Sequence, residues 1–183
     1  IYSVPGEVIE LARVAAAHGG RYISHIRSED RSFWKAIDEI IDIGREAKLT
    51  AKVSPTKLAM RNLWGQADRL IARLERASAR GVNITGDMYP YLYWESTLTV
   101  LFPERDFENR GTAALVLKEI AAPEGLLLTQ FDPEPSYAGK TIAEIARMRG
   151  SDPVTTLIDL IRMSEAMRKE TGRGAESVIG TSM

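Results

Sequence analysis

Arg21-Tyr22-Ile23-Ser24-His25-Ile26 is a short apolar run that opens after Gly19-Gly20 and closes on charged residues. It has two counterparts, Leu49-Thr50-Ala51-Lys52-Val53-Ser54 and Val82-Asn83-Ile84-Thr85-Gly86-Asp87. Runs of this length, rich in Ile, Val, Thr and Tyr and bounded by Gly or polar clusters, read as strands, and the first as a buried strand. Between them the apolar period changes. Val8, Leu11, Ala12 and Ala15 recur at helical spacing behind the start signal Ser3-Val4-Pro5-Gly6-Glu7 and stop at Gly19-Gly20. Phe33, Trp34, Ile37, Ile40 and Ile41 share one face of a second helix. Leu70, Ile71, Leu74 and Ala77 share a face of a third, from about Gln66 to Arg80, with Gly81 as its stop.

Helix and strand alternate with a period of about 30 residues, the length of one β/α unit, which favours a parallel sheet covered by helices. No GxGxxG or GxxxxGK[ST] follows any of the three strands, so dinucleotide and P-loop versions of that architecture lose support. The polar residues collect at the C-terminal ends of the strands: Ser24 and His25, then Ser54 and Lys57, then Asp87 and Tyr89. Active sites of β/α barrels are assembled on that edge.

After Tyr91 the rhythm is lost. Prolines 103, 123, 133 and 135 punctuate a stretch with a helix expected around Ala113 to Ala121 and an apolar run, Leu126-Leu127-Leu128. Two helix starts follow: Thr141 with Glu144 three residues on is a capping-box pattern, and Asp152-Pro153 is an N-cap followed by proline at the first helical position. The second helix, with Val154, Leu157, Ile158 and Ile161 inward, is expected to run to about Lys169, and residues 171–183 to form a loose Gly/Ser-rich tail. The expected organisation is thus 1–91 as β/α units carrying rim residues, 92–136 as an inserted irregular and helical excursion over the active-site mouth, and 137–183 as a helical segment with its tail.

With 183 residues, 44% hydrophobic and 27% charged, the chain has the composition of an ordinary globular protein. Its net charge of −1, from 24 basic and 25 acidic residues, gives no pull toward nucleic acid or an anionic membrane. There is no cysteine, which excludes disulfides and thiolate metal sites within these residues. No apolar run approaches the roughly 18 residues needed to span a bilayer. With no leader visible in these residues, a cytoplasmic location is the expectation.

Four segments together resemble the D-aminoacylase (N-acyl-D-amino-acid deacylase) branch of the amidohydrolase superfamily. They are Gly19-Gly20-Arg21-Tyr22-Ile23-Ser24-His25-Ile26-Arg27-Ser28-Glu29; Val53-Ser54-Pro55-Thr56-Lys57-Leu58-Ala59 leading to Asn62-Leu63-Trp64-Gly65-Gln66; Asp87-Met88-Tyr89-Pro90-Tyr91; and Tyr137 to Ala146. The resemblance covers almost the whole chain, and its specificity lies in the order and spacing of the segments. It implies a zinc-bearing TIM-type (β/α) barrel, of which this chain would be an internal segment with parallel strands, acting on the amide bond of N-acyl-D-amino acids or of a related small amide or dipeptide.

By that resemblance His25 matches a metal-ligand histidine, Lys57 a lysine that contacts the substrate carboxylate, and Tyr89 a tyrosine that faces the site. The residues suit those tasks: a neutral imidazole at a strand end is a sound zinc ligand, and an ammonium on a rim loop suits an anion. Asp87 reads as a strand-end hydrogen-bonding residue, His18 as a helix-end residue, and Arg27 and Glu29 as residues that pair with each other or organise the rim.

One match is broken. The family pattern SH-x-K is here Ser54-Pro55-Thr56-Lys57, and proline offers a metal no donor atom. The family's HxH pair and SDG-like motif are also absent from these residues, and the only histidines are His18 and His25. The expectation is therefore a piece of a hydrolase with no catalytic residue of its own that is inactive in isolation; the alternative is a degenerate relative that keeps the scaffold for binding or assembly. Exposed barrel edges would also favour self-association.

Overall fold

A computed structural model describes residues 3–181. The chain forms two compact units, one of residues up to Ala59 together with Leu63–Pro90, the other of Met60–Asn62 together with residues from Tyr91 onward.

The first unit is built on the expected alternation. Helix α1, Pro5–Ala17, starts with proline in its first turn and ends at Gly19, where φ is +73°. Strand β1, Tyr22–Ser24, leads to α2, Phe33–Ala47, whose buried stripe is Phe33, Ala36, Ile37, Ile40, Ile43, Gly44 and Ala47. Strand β2, Ala51–Val53, then α3, Ala67–Ala79, and β3, Ile84–Gly86, complete it.

The three strands are parallel in the order β1-β2-β3, with Ile23, Lys52 and Thr85 in register across the sheet. Ala51 and Val53, fully buried, face the helices. Gly44 of α2 permits that close packing, since a Cβ there would sit 3.0 Å from Ala51 Cβ and 3.2 Å from Val82 Cγ1. Arg73 of α3 ties to Asp38 of α2 through a two-pronged guanidinium–carboxylate contact, and Arg69 lies 4.0 Å over the Trp34 ring.

Side chains alternate across a strand, so Lys52 and Ser54 point away from the helices, to the face that Ile23 and Thr85 share by register. On that face Ile23 is 60% exposed. The reading of Arg21 to Ile26 as a buried strand is corrected accordingly: helices cover only one side of this sheet, and β1 is an outer strand.

The second unit differs from the expected excursion and tail. Strand β4, Tyr93–Ser96, is followed by a 3-10 turn, Leu98–Leu101. Helix α4, Arg110–Leu115, continues as a π turn over Val116–Ile120, and strand β5 is Leu126–Phe131. Helices α5, Ile142–Arg149, and α6, Pro153–Thr171, start as expected. Thr141 and Glu144 form the capping box, and Asp152 accepts the Thr155 N–H.

The loose tail is a correction. Glu176–Thr181 forms strand β6, which lies between β4 and β5, antiparallel to both. Its alternate residues Glu176, Val178 and Gly180 are buried. Residues 92–136 and 137–181 therefore share one sheet and one core, in which Trp94, Leu98, Phe102, Leu126, Leu128, Ile142, Leu157 and Ile161 pack with Val178; the last two residues of the expected tail lie outside the described residues.

Candidate functional site at the C-terminal edge of the parallel sheet

The chain leaves β1 through His25 and the buried Ile26, then turns into the loop that starts α2. Arg27 anchors this loop. Its guanidinium donates to both carboxylate oxygens of Glu39 on α2, at 2.8 and 2.6 Å, and to the Ser3 carbonyl at 2.9 Å. Asp30 shapes the rest, accepting the Ser32 N–H at 3.1 Å. Of the two readings of Arg27 and Glu29, pairing with each other is corrected: Arg27 takes Glu39, and Glu29 turns to other partners at the rim.

Those partners are two of the residues singled out from the sequence. Glu29 Oε1 lies 2.8 Å from Lys57 Nζ and 3.2 Å from His25 Nε2. Lys57 is the more enclosed, its side chain 12% exposed against 24% for Glu29 and 55% for His25. The other ring nitrogen of His25, Nδ1, lies 3.0 Å from the Ile26 carbonyl. Both ring nitrogens therefore face oxygen acceptors.

A second charged pair sits beside the first. Asp87, just past β3, accepts from Ser54 Oγ at 3.0 Å and lies 2.6 Å from Lys52 Nζ. Lys52 and the Ser54 hydroxyl hold the Asp87 carboxyl below the usual carboxylate range. The loop after β2 is bound to the end of β3 by Thr56 N–H donating to the Asp87 carbonyl at 2.6 Å. Gly86 makes room for that loop, because a Cβ there would overlap Thr56 Oγ1. Tyr89 follows, half-buried, in the coil after β3.

The edge thus brings His25 and Lys57 together through Glu29 and holds Asp87 as a hydrogen-bonding residue, while Tyr89 lies on the chain just beyond it. Glu29 as a shared partner and Lys52 as the counter-ion of Asp87 were missed from sequence. A period-2 count along Lys52-Val53-Ser54 puts Lys52 on the same face as Ser54 and was available. Nothing local marks Glu29, whose partners are set by how the β1 and β2 loops meet.

A zinc ion is not matched by the side chains present. Among the described residues no three His, Cys, Asp or Glu side chains gather around a common point. His25 and Glu29 make two donors, but the Lys57 ammonium already lies against the same Glu29 oxygen, and Pro55 contributes nothing. No described helix is long and apolar enough to cross a membrane.

No family model matches the chain. Among curated proteins it is similar to an N-acyl-D-glutamate deacylase of Alcaligenes xylosoxydans xylosoxydans, 34% identical over 157 residues, which is 82% of this chain and 29% of the relative. It is also similar to a D-aminoacylase of the same organism, 26% identical over 84% of this chain and 28% of the relative. Among solved structures, an N-acyl-D-glutamate deacylase from Bordetella bronchiseptica, complexed with zinc and a phosphonate mimic of the tetrahedral intermediate, superposes with a TM-score of 0.72. It is 26% identical, over 99% of this chain and 32% of that one. A D-aminoacylase described as defining a novel subset of amidohydrolases shares the fold with a TM-score of 0.70 at 24% identity, over 98% of this chain and 31% of that one. A D-aminoacylase variant was solved in complex with copper chloride. The chain therefore spans a little under a third of the length of these relatives.

Proposed function

From the premise that this chain is a relative of the N-acyl-D-glutamate deacylases and D-aminoacylases, which are amidohydrolases, we propose that it is a segment of a β/α barrel directed at the amide bond of N-acyl-D-amino acids. Within that barrel it supplies the part of the mouth that receives the ligand's carboxylate and does not hydrolyse the amide by itself. The observation that carries this reading is Lys57: an ammonium only 12% exposed, on the loop at the C-terminal edge of a parallel sheet. A poorly hydrated cation in that position is a ready partner for an anionic ligand. Tyr89, from the next strand's loop, is the second contact in this proposal, its phenol able to donate to a carbonyl or carboxylate. His25, just past β1, keeps the position that the resemblance reads as a metal ligand, although the described side chains around it do not complete a zinc site.

Pro55 favours a second reading, in which the barrel keeps ligand binding without hydrolysis. The test is turnover and binding of N-acetyl-D-glutamate by the full-length protein and its Lys57→Met variant. The leading reading expects hydrolysis, with kcat/KM falling at least about tenfold in Lys57→Met, as for loss of one charged contact. Binding without turnover supports the scaffold reading, and no binding refutes both.

A further inference from the structure

Glu29 already occupies the cation that the proposed ligand would seek. Lys57 is too enclosed to be neutralised by water alone, and the group that neutralises it is Glu29 Oε1 at 2.8 Å. The loop carrying Glu29 is held by other residues: Arg27 clamps Glu39 and the Ser3 carbonyl, and Asp30 holds the Ser32 N–H. The Glu29 carboxylate, whose partners are His25 and Lys57, is therefore able to move without undoing the loop.

We infer that Glu29 is a specificity-determining residue, an internal carboxylate that competes with the ligand's carboxylate for Lys57 and must yield before it binds. The inference rests on the reading of Lys57 as the carboxylate contact. Two carboxylates on one ammonium repel, so an incoming acid binds only as far as it outcompetes a tethered neighbour already in contact. Glu29 thereby raises the affinity an acid needs, and weak monoanions of solution are excluded from Lys57. A ligand lacking a carboxylate makes no claim on Lys57 and does not register the competition.

The test measures binding by calorimetry in the full-length protein, with N-acetyl-D-glutamate and its uncharged diamide as probes. Glu29→Gln keeps the shape and removes the charge. It should tighten binding of the acid by about tenfold and leave the diamide unchanged. Glu29→Ala should move the acid in the same direction, which guards against a fault particular to glutamine. Thermal melting of each variant verifies the fold.

Acid binding that is unchanged or weaker in both variants overturns the inference, as does equal tightening of acid and diamide. Lys57→Met separates the premise: it should weaken the acid and leave the diamide unchanged. If it leaves acid binding intact, the carboxylate reading of Lys57 fails. If Lys57→Met weakens the acid while the Glu29 variants do nothing, the role of Glu29 fails alone.

Discussion

Replacing Gly180 by alanine tests the packing of the second unit at its tightest point. Gly180 lies in β6, directly opposite Trp94 of β4, and the indole covers its backbone. A methyl group there would overlap ring atoms Cζ2 and Cε2 and sit 2.9 Å from Cη2. The ring is 8% exposed and belongs to the core, so it has little room to retreat.

Alanine in place of glycine ordinarily stabilises by about 0.4–1 kcal/mol through the unfolded chain. Overpacking of a filled core costs about 1–3 kcal/mol, and a collision with a rigid ring belongs at the upper end. The expected balance is a loss of about 2 kcal/mol, or a drop in Tm on the order of 10 °C for a unit of this size. Urea unfolding followed by tryptophan fluorescence and far-UV circular dichroism measures it. A cycle with Trp94→Val isolates the cause, because Gly180→Ala should lose its penalty once the indole is gone. Gly180→Ala at full stability, or an equal loss in both backgrounds, would refute the stacked geometry.

Two further outcomes are expected. Glu176 is 6% exposed, accepts the Leu98 N–H on both oxygens at 3.0 Å, and has its carboxyl pKa pushed up chiefly by burial, against the opposing pull of that N–H and Arg168. The folded state then holds its proton more tightly than the unfolded chain. Its contribution is most favourable at acid pH and declines as pH rises from the ordinary glutamate range to the raised folded value; denaturant melts across that window should show the decline, and Glu176→Gln should flatten it. The outer strands β1 and β3 leave backbone groups unpaired, so the 183-residue chain alone should associate on size-exclusion chromatography, and a sharp monomer peak with cooperative melting would count against that.

What could be read directly from the sequence was local chemistry. Gly81 with φ of +85°, the Thr141–Glu144 box and the Asp152–Pro153 start behave as their residue types require, because each acts within one turn of backbone. The alternation around Ala51 and Val53 was likewise sufficient for a parallel sheet. The antiparallel sheet was not legible. Glu176-Ser177-Val178-Ile179-Gly180-Thr181 has a charged and a glycine residue at two of its inward positions, so its composition resembles a tail. It becomes a strand through partners far away, as when Ser177 Oγ donates to Glu95 at 2.7 Å. At the site, residue types pointed to His25, Lys57 and Asp87, whereas the ion pair of Glu29 with Lys57 depends on how two loops approach, which no periodicity encodes.

The position of β6 orders events during synthesis. Both neighbours, β4 and β5, leave the ribosome before it, and each is paired in the sheet through β6. Until residues 176–181 emerge, two strands wait with open edges, and Leu126, Leu128 and Trp94 lack the Val178 that closes over them. Such late, distant pairing slows folding and exposes intermediates to aggregation, so a nascent chain stalled ahead of Glu176 would be a substrate for chaperones.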